Sequence, residues 1–171
     1  MVKYFSGFCL ENESCLFDSW SQKGDFTVAG FSYGAIKALE YALNCSNRID
    51  KIQLFSPAFF NDKDEKYKRL QLMFFVKDEK SYVNNFLENV KYPSQIDLNL
   101  YLSIGKKEEL QELLYYHWDS TKLEHLISQG IKIEVYLGEE DKIINSSLAR
   151  DFFKSCQCEV YFIKNVGHLL R

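Results

Sequence analysis

The chain has 171 residues, 46% of them hydrophobic and 16% aromatic, which suits one globular domain and excludes wholesale disorder. Its 21 basic and 24 acidic side chains leave a formal net charge of −3, without the basic excess that nucleic-acid binders show. The apolar runs are too short to span a membrane, and Met1-Val2-Lys3-Tyr4-Phe5-Ser6-Gly7 lacks the apolar stretch of a secretory signal, so a cytoplasmic protein is expected.

Short apolar runs alternate with helical patterns. Residues 3–5 read as a strand, followed by a turn at Ser6-Gly7 and a helix over 13–20. Residues 26–29 are a compact apolar run. In 35–43, Ile36, Leu39, Ala42 and Leu43 recur at helical spacing. Residues 51–55 form a third strand, ending at Ser56-Pro57. After a long interval come a strand over 132–137, a helix over 146–154 and a last strand over 159–163. Such alternation predicts an α/β fold with a mostly parallel sheet. The interval at about 61–126 breaks the pattern, being rich in charge and aromatics. It carries Leu110, Leu113 and Leu114 on one helical face and Tyr67, Leu70 and Phe74 on another. It reads as short helices inserted between two strands, forming a cap on a single domain of residues 1–171. The five cysteines have no zinc-finger or Cys-x-x-Cys spacing, and reduced thiols are expected.

Gly30-Phe31-Ser32-Tyr33-Gly34 has the pattern Gly-x-Ser-x-Gly. With 8 glycines and 15 serines in the chain, random placement would give about 0.03 occurrences, so accident is a poor explanation. The setting also fits, because a strand precedes the pentapeptide and a helix follows it. A serine on so tight a strand-to-helix turn presents its hydroxyl as a nucleophile, and the glycines relieve the crowding. The alternative is a glycine-flanked surface turn.

A serine hydroxyl needs a base. His117 and His125 lie in the helical middle and read as solvated or partly buried helix residues. His168, in a loop beyond the last strand, is placed at the sheet edge from which Ser32 emerges, and reads as general base and acid. The orienting carboxylate is expected after the strand over 132–137, in Gly138-Glu139-Glu140-Asp141. Asp141 is favoured and Glu140 is the reserve; a solvated acidic turn is the plain alternative. An oxyanion hole requires two backbone N–H groups, assigned to Tyr33, which follows the nucleophile, and to Phe8 in the loop after the first strand.

Ser32, Asp141 and His168, in that chain order, resemble the α/β-hydrolases. The resemblance covers nearly the whole chain, with 61–126 in the place of the cap. Two departures stand out. Ser6-Gly7 replaces the usual His-Gly of the oxyanion loop, and one or two strands normally preceding it are missing, so a small, N-terminally trimmed sheet is expected. Within that superfamily the chain resembles the short pimeloyl-[acyl-carrier protein] methyl ester esterases of biotin synthesis. The residues carrying this are Phe5-Ser6-Gly7-Phe8, Asn12-Glu13-Ser14 and Gly30 through Ala38. In the cap they are Tyr67-Lys68-Arg69-Leu70-Gln71-Leu72, Lys77-Asp78, Lys80-Ser81-Tyr82 and Asn85-Phe86. At the end they are Lys132-Ile133-Glu134-Val135 and His168-Leu169-Leu170. The resemblance implies hydrolysis of the methyl ester masking the distal carboxylate of a pimeloyl chain carried on acyl-carrier protein, without metal or cofactor. Phe8, Tyr33 and the cap aromatics would line an acyl channel. Because acyl-carrier proteins are acidic, Lys66, Lys68 and Arg69 are candidate contacts, although Asp62, Asp64 and Glu65 dilute them and a solvated mixed-charge helix accounts for them equally well. Two other functions use the same residues differently. One is a general small-molecule carboxylesterase or thioesterase; the other is a non-catalytic α/β-hydrolase acting as a binding module.

Overall fold

The structure is a computed structural model and describes residues 3–21 and 24–171. Met1 and Val2, part of the segment read for a secretory signal, lie outside the described residues. Five strands are present among the described residues: β1 (Lys3–Phe5), β2 (Thr27–Phe31), β3 (Lys51–Phe55), β4 (Lys132–Gly138) and β5 (Glu159–Ile163). The helices are α1 (Tyr33–Asn44), α2 (Glu65–Lys77), α3 (Glu79–Lys91), α4 (Lys107–Tyr115), α5 (Ser120–Ser128) and α6 (Ser146–Ser155). All strand pairings are parallel, in the order β1-β2-β3-β4-β5. Register aligns Val28 with Ile52, Ile52 with Ile133, and Val135 with Val160, so residues of like parity form rows across each face.

The two faces bury different residues. On one, Val28, Ile52, Leu54, Val135 and Leu137 pack beneath α1, α5 and α6, which contribute Leu39, Leu123, Leu126 and Phe153. On the other, Ala29, Phe31, Phe55 and Tyr136 meet Phe17, Leu169 and Leu170. Burial on both sides explains why the central strands are mostly apolar, Gln53 and Glu134 being buried polar exceptions. The helix expected over 13–20 is a five-residue 3-10 segment, Glu13–Phe17. The amides of Trp20 and Ser21 both bond to the Phe17 carbonyl, closing a turn that drives the Phe17 ring to 4.8 Å from those of Phe31 and Phe55.

The long interval divides. α2, α3 and α4 form the cap, whereas α5 packs against β4 and α1. The cap closes at its base. The Asn61 side chain donates to the Trp118 carbonyl at 2.9 Å and accepts from the Trp118 amide at 3.0 Å. The Trp118 indole, 1% exposed, donates to the Ala58 carbonyl at 2.8 Å. The expected apolar face of α4 is present, since Leu110, Leu113 and Leu114 are all buried. On α2, Phe75 is buried and Phe74 is half exposed.

Glu134 is the one charged strand residue buried completely among the described residues. It accepts hydrogen bonds from Lys51 at 2.7 Å and from Gln53 and Tyr136 at 2.9 Å each, and it pairs with Lys132 at 3.2 Å. Burial alone raises its pKa, but the bonds from Lys51, Tyr136, Lys132 and Gln53 outweigh it and hold the carboxyl below the ordinary glutamate value. A carboxylate depressed in this way stabilises the fold above its unfolded pKa, about 4.3, and loses that contribution as pH falls through the lower folded value. Thermal melts between about pH 3 and pH 7 are expected to show a shallower acid loss in Glu134→Gln than in wild type.

Candidate active site

β2 ends at Phe31 and α1 begins at Tyr33, so Ser32 alone makes the turn between them. Its backbone has φ 54° and ψ −113°, a conformation that costs an L residue about 1–3 kcal/mol and must be held by its surroundings. The Ser32 amide donates to the Phe55 carbonyl at 2.9 Å, and its own carbonyl accepts from the amides of Ala35 and Ala58 at 3.1 Å each. The flanking glycines are sterically required. A Cβ on Gly30 would lie 2.1 Å from the Gly34 carbonyl oxygen, and one on Gly34 would lie 2.0 Å from that of Phe5.

The carboxyl ends of β4 and β5 deliver the partners. His168 Nε2 is 2.9 Å from Ser32 Oγ, and His168 Nδ1 is 2.6 Å from Asp141 Oδ2. The other carboxylate oxygen, Oδ1, accepts from the amides of Ile143 at 2.7 Å and Ile144 at 3.1 Å, which fixes the plane of the carboxylate. With Nδ1 donating to Asp141, Nε2 is left to accept the proton of the Ser32 hydroxyl. Asp141, favoured from the sequence, is therefore the carboxylate bonded to His168. Glu140, the reserve, is anchored through its amide to the Val166 carbonyl at 2.9 Å. Ser32 is 3% exposed and His168 is fully buried, so the relay is shielded from bulk water. His117 and His125 are exposed and lie outside it.

The oxyanion amides are assigned from the sequence to Tyr33 and Phe8. Tyr33 is the first residue of α1, where an amide has no intrahelical acceptor, and among the described residues neither its N–H nor that of Phe8 donates a hydrogen bond. Such amides can stabilise charge developing on a carbonyl oxygen held beside Ser32. The neighbouring Cys9 does not compete as a nucleophile: burial pushes its thiol up to about 12, far from the thiolate form.

Sequence reasoning gave no role to Glu112, and the structure does. The Tyr33 hydroxyl donates to Glu112 on α4 at 2.5 Å, and Lys37 sits 4.1 Å from the centre of the Tyr33 ring. Burial, followed by Glu112, pushes that hydroxyl above the ordinary tyrosine range. The pair is separated by 79 positions, and no local pattern signals it.

A cavity of about 390 Å³ lies among the cap helices and the loop after β4. Its lining includes Phe60, Leu110, Leu114 and Ile143, with Ser81 and Asn85 among the polar residues. One contact links its lining to the relay and another to the loop after β1. Ile143 donates its amide to Asp141, and Phe86, which also lines the cavity, packs edge-on against Phe8 at 5.6 Å. Of the basic residues singled out in the cap, Lys66 and Arg69 are exposed on one face of α2. Lys68 turns to the opposite side, its ammonium 5.4 Å from the centre of the Tyr115 ring.

No protein-family profile and no curated protein matches the chain. Solved structures do match. An esterase from Exiguobacterium antarcticum superposes with a TM-score of 0.65 at 16% identity, over 83% of this chain and 59% of that one. The naproxen esterase (carboxylesterase NP) of Bacillus subtilis gives 0.64 at 16% identity, over 99% of this chain and 77% of that one. MenH from S. aureus gives 0.59 at 14% identity, over 98% and 85%. The present chain thus spans about six-tenths of the first and more of the other two. These likenesses, with the nucleophile elbow and its parallel sheet, establish the α/β-hydrolase fold for this chain.

The elbow has no room for a methyl group. Gly34→Ala is expected to cost about 1–3 kcal/mol of stability, as overpacking does, and to move Ser32 out of reach of His168. Chemical denaturation, with active-site labelling of the folded fraction, measures both.

Proposed function

We propose that the chain is a serine carboxylesterase. The observation that carries this reading is the unbroken relay from Ser32 through His168 to Asp141, set on a strand-to-helix elbow. In the reaction, His168 Nε2 takes the Ser32 proton as Oγ attacks an ester carbonyl, and the amides of Phe8 and Tyr33 receive the charge on the oxygen. His168 then protonates the departing alcohol. Water, deprotonated by the same nitrogen, attacks the acyl-enzyme and releases the carboxylate. Asp141 holds the imidazole in the tautomer this requires and stabilises its cationic form. The fold neighbours named as esterases support the same reaction class.

The finer reading is the methyl ester of a pimeloyl chain on acyl-carrier protein. Its support is the sequence resemblance together with two features of the cap. The cavity offers an apolar wall from α4 with aromatic rings at its sides, suited to a methylene chain. The outer face of α2 exposes Lys66, Arg69 and Lys77 alongside Met73 and Val76, a mixture suited to an acidic carrier. The polar residues of the cavity, Gln71, Ser81, Asn85 and Asn89, favour the second reading, a broader esterase for short polar esters.

Hydrolysis of pimeloyl-acyl-carrier-protein methyl ester is to be measured beside that of a p-nitrophenyl ester. Ser32→Ala is expected to abolish both activities and fluorophosphonate labelling, and Asp141→Asn to lower kcat about 10⁴-fold through the wrong histidine tautomer. Preference for the carrier-bound ester supports the finer reading, and activity on the small ester alone removes the carrier. Absence of labelling in folded wild type leaves the binding-module reading. If the carrier docks on α2, Lys66→Glu with Arg69→Glu raises KM for the carrier-bound ester and leaves KM for the small ester unchanged.

A further inference from the structure

Glu13 is fully buried, yet no cation pairs with it among the described residues. One carboxylate oxygen, Oε1, accepts from the Gly7 amide at 2.8 Å and from the Tyr4 hydroxyl at 3.0 Å, whereas Oε2 is buried without a partner. Burying a carboxylate with half its hydrogen-bonding capacity unused is costly, and an apolar side chain at this place would spare the fold that cost. What the carboxylate does hold is the loop that carries Phe8.

The geometry of that loop follows from peptide planarity. Glu13 fixes the N–H of the Ser6–Gly7 peptide. The carbonyl of the next peptide, Gly7–Phe8, accepts from the Leu10 amide at 3.2 Å. In a trans peptide the N–H and C=O point in opposite directions, so a carbonyl tied back into the loop turns the Phe8 N–H outward from it. Both peptides flanking Gly7 are thereby pinned, at the residue type with the greatest freedom to rotate. We infer that Glu13 is a positioning residue for the oxyanion hole, orienting the Phe8 amide by clamping the Gly7 amide. This inference rests on the esterase reading. Glu13 touches neither Ser32 nor His168 and acts through the backbone alone.

Three substitutions separate this role from support of the fold. Glu13→Ala and the size-matched Glu13→Met remove the acceptor, and Glu13→Gln keeps an acceptor oxygen for Gly7 and Tyr4. With a p-nitrophenyl ester, Ala and Met are expected to lower kcat about 100-fold, the scale of losing one oxyanion donor, with KM changed by less than about twofold. Fluorophosphonate inactivation slows in parallel, and Gln restores most of the rate. Hydrogen exchange supplies a readout independent of activity, with the Gly7 amide protected in wild type and Gln and unprotected in Ala.

A folded Ala or Met variant with wild-type kcat overturns the inference. So does a folded Gln variant as slow as Ala, which also decides the matter if Ala and Met fail to fold. If wild type neither hydrolyses esters nor labels, the esterase reading fails. Gly7 exchange then still decides whether Glu13 clamps the loop.

Discussion

Between Gly30 and Gly34 the chain passes from the core of the sheet to the first turn of a helix through one residue, with its backbone forced to positive φ. The carbonyl oxygens of Phe5 and Ser6 stand where a side chain on Gly34 would begin. The end of β1 is therefore pressed against the start of α1, and the loop leaving β1 begins beside the turn at Ser32. Oxyanion loop, elbow and helix start are a single packed unit. The same compression sets the helix start at Tyr33, leaving the Tyr33 amide without an acceptor within the helix.

Strands and relay were legible because each rests on local signals. Residues 3–5, 51–55 and 159–163 read as strands and are β1, β3 and β5. Gly30-Phe31-Ser32-Tyr33-Gly34 could be recognised because steric crowding at an elbow admits few residue types. Asp141 and His168 followed from where a parallel sheet delivers its loops. Other features depend on distant partners and left no local mark. The segment over 13–20 has helical composition, but Phe17 is drawn down onto the Phe31 and Phe55 rings and the helix is cut to one 3-10 segment. α5 shares the polar character of the cap sequence, and the burial of Leu123 and Leu126 against the sheet tells it apart. Lys68 belongs by composition with Lys66 and Arg69, but helical geometry turns it toward Tyr115.

The relay and the cavity are built from different parts of the chain. The relay is built from the ends of β2, β4 and β5 and is closed off from solvent. The cavity lies under α2, α3 and α4, with an apolar wall from α4 and amide and hydroxyl groups among its lining. The two are coupled where Glu112 of α4 accepts the Tyr33 hydroxyl, linking the cap to the residue next to the nucleophile.

The neck of the cap carries a further consequence. Asn61 and Trp118 stand 57 positions apart in sequence and are joined by two hydrogen bonds, with the Trp118 indole rooted in the sheet domain at Ala58. Everything between them is an excursion from the sheet, tied back to it where Glu112 meets Tyr33 and where Leu102 pairs with Leu10. The entropic cost of closing such a loop grows only logarithmically with its length. The neck thus holds the two ends of the excursion together at an entropic cost that depends little on how many helices lie between them.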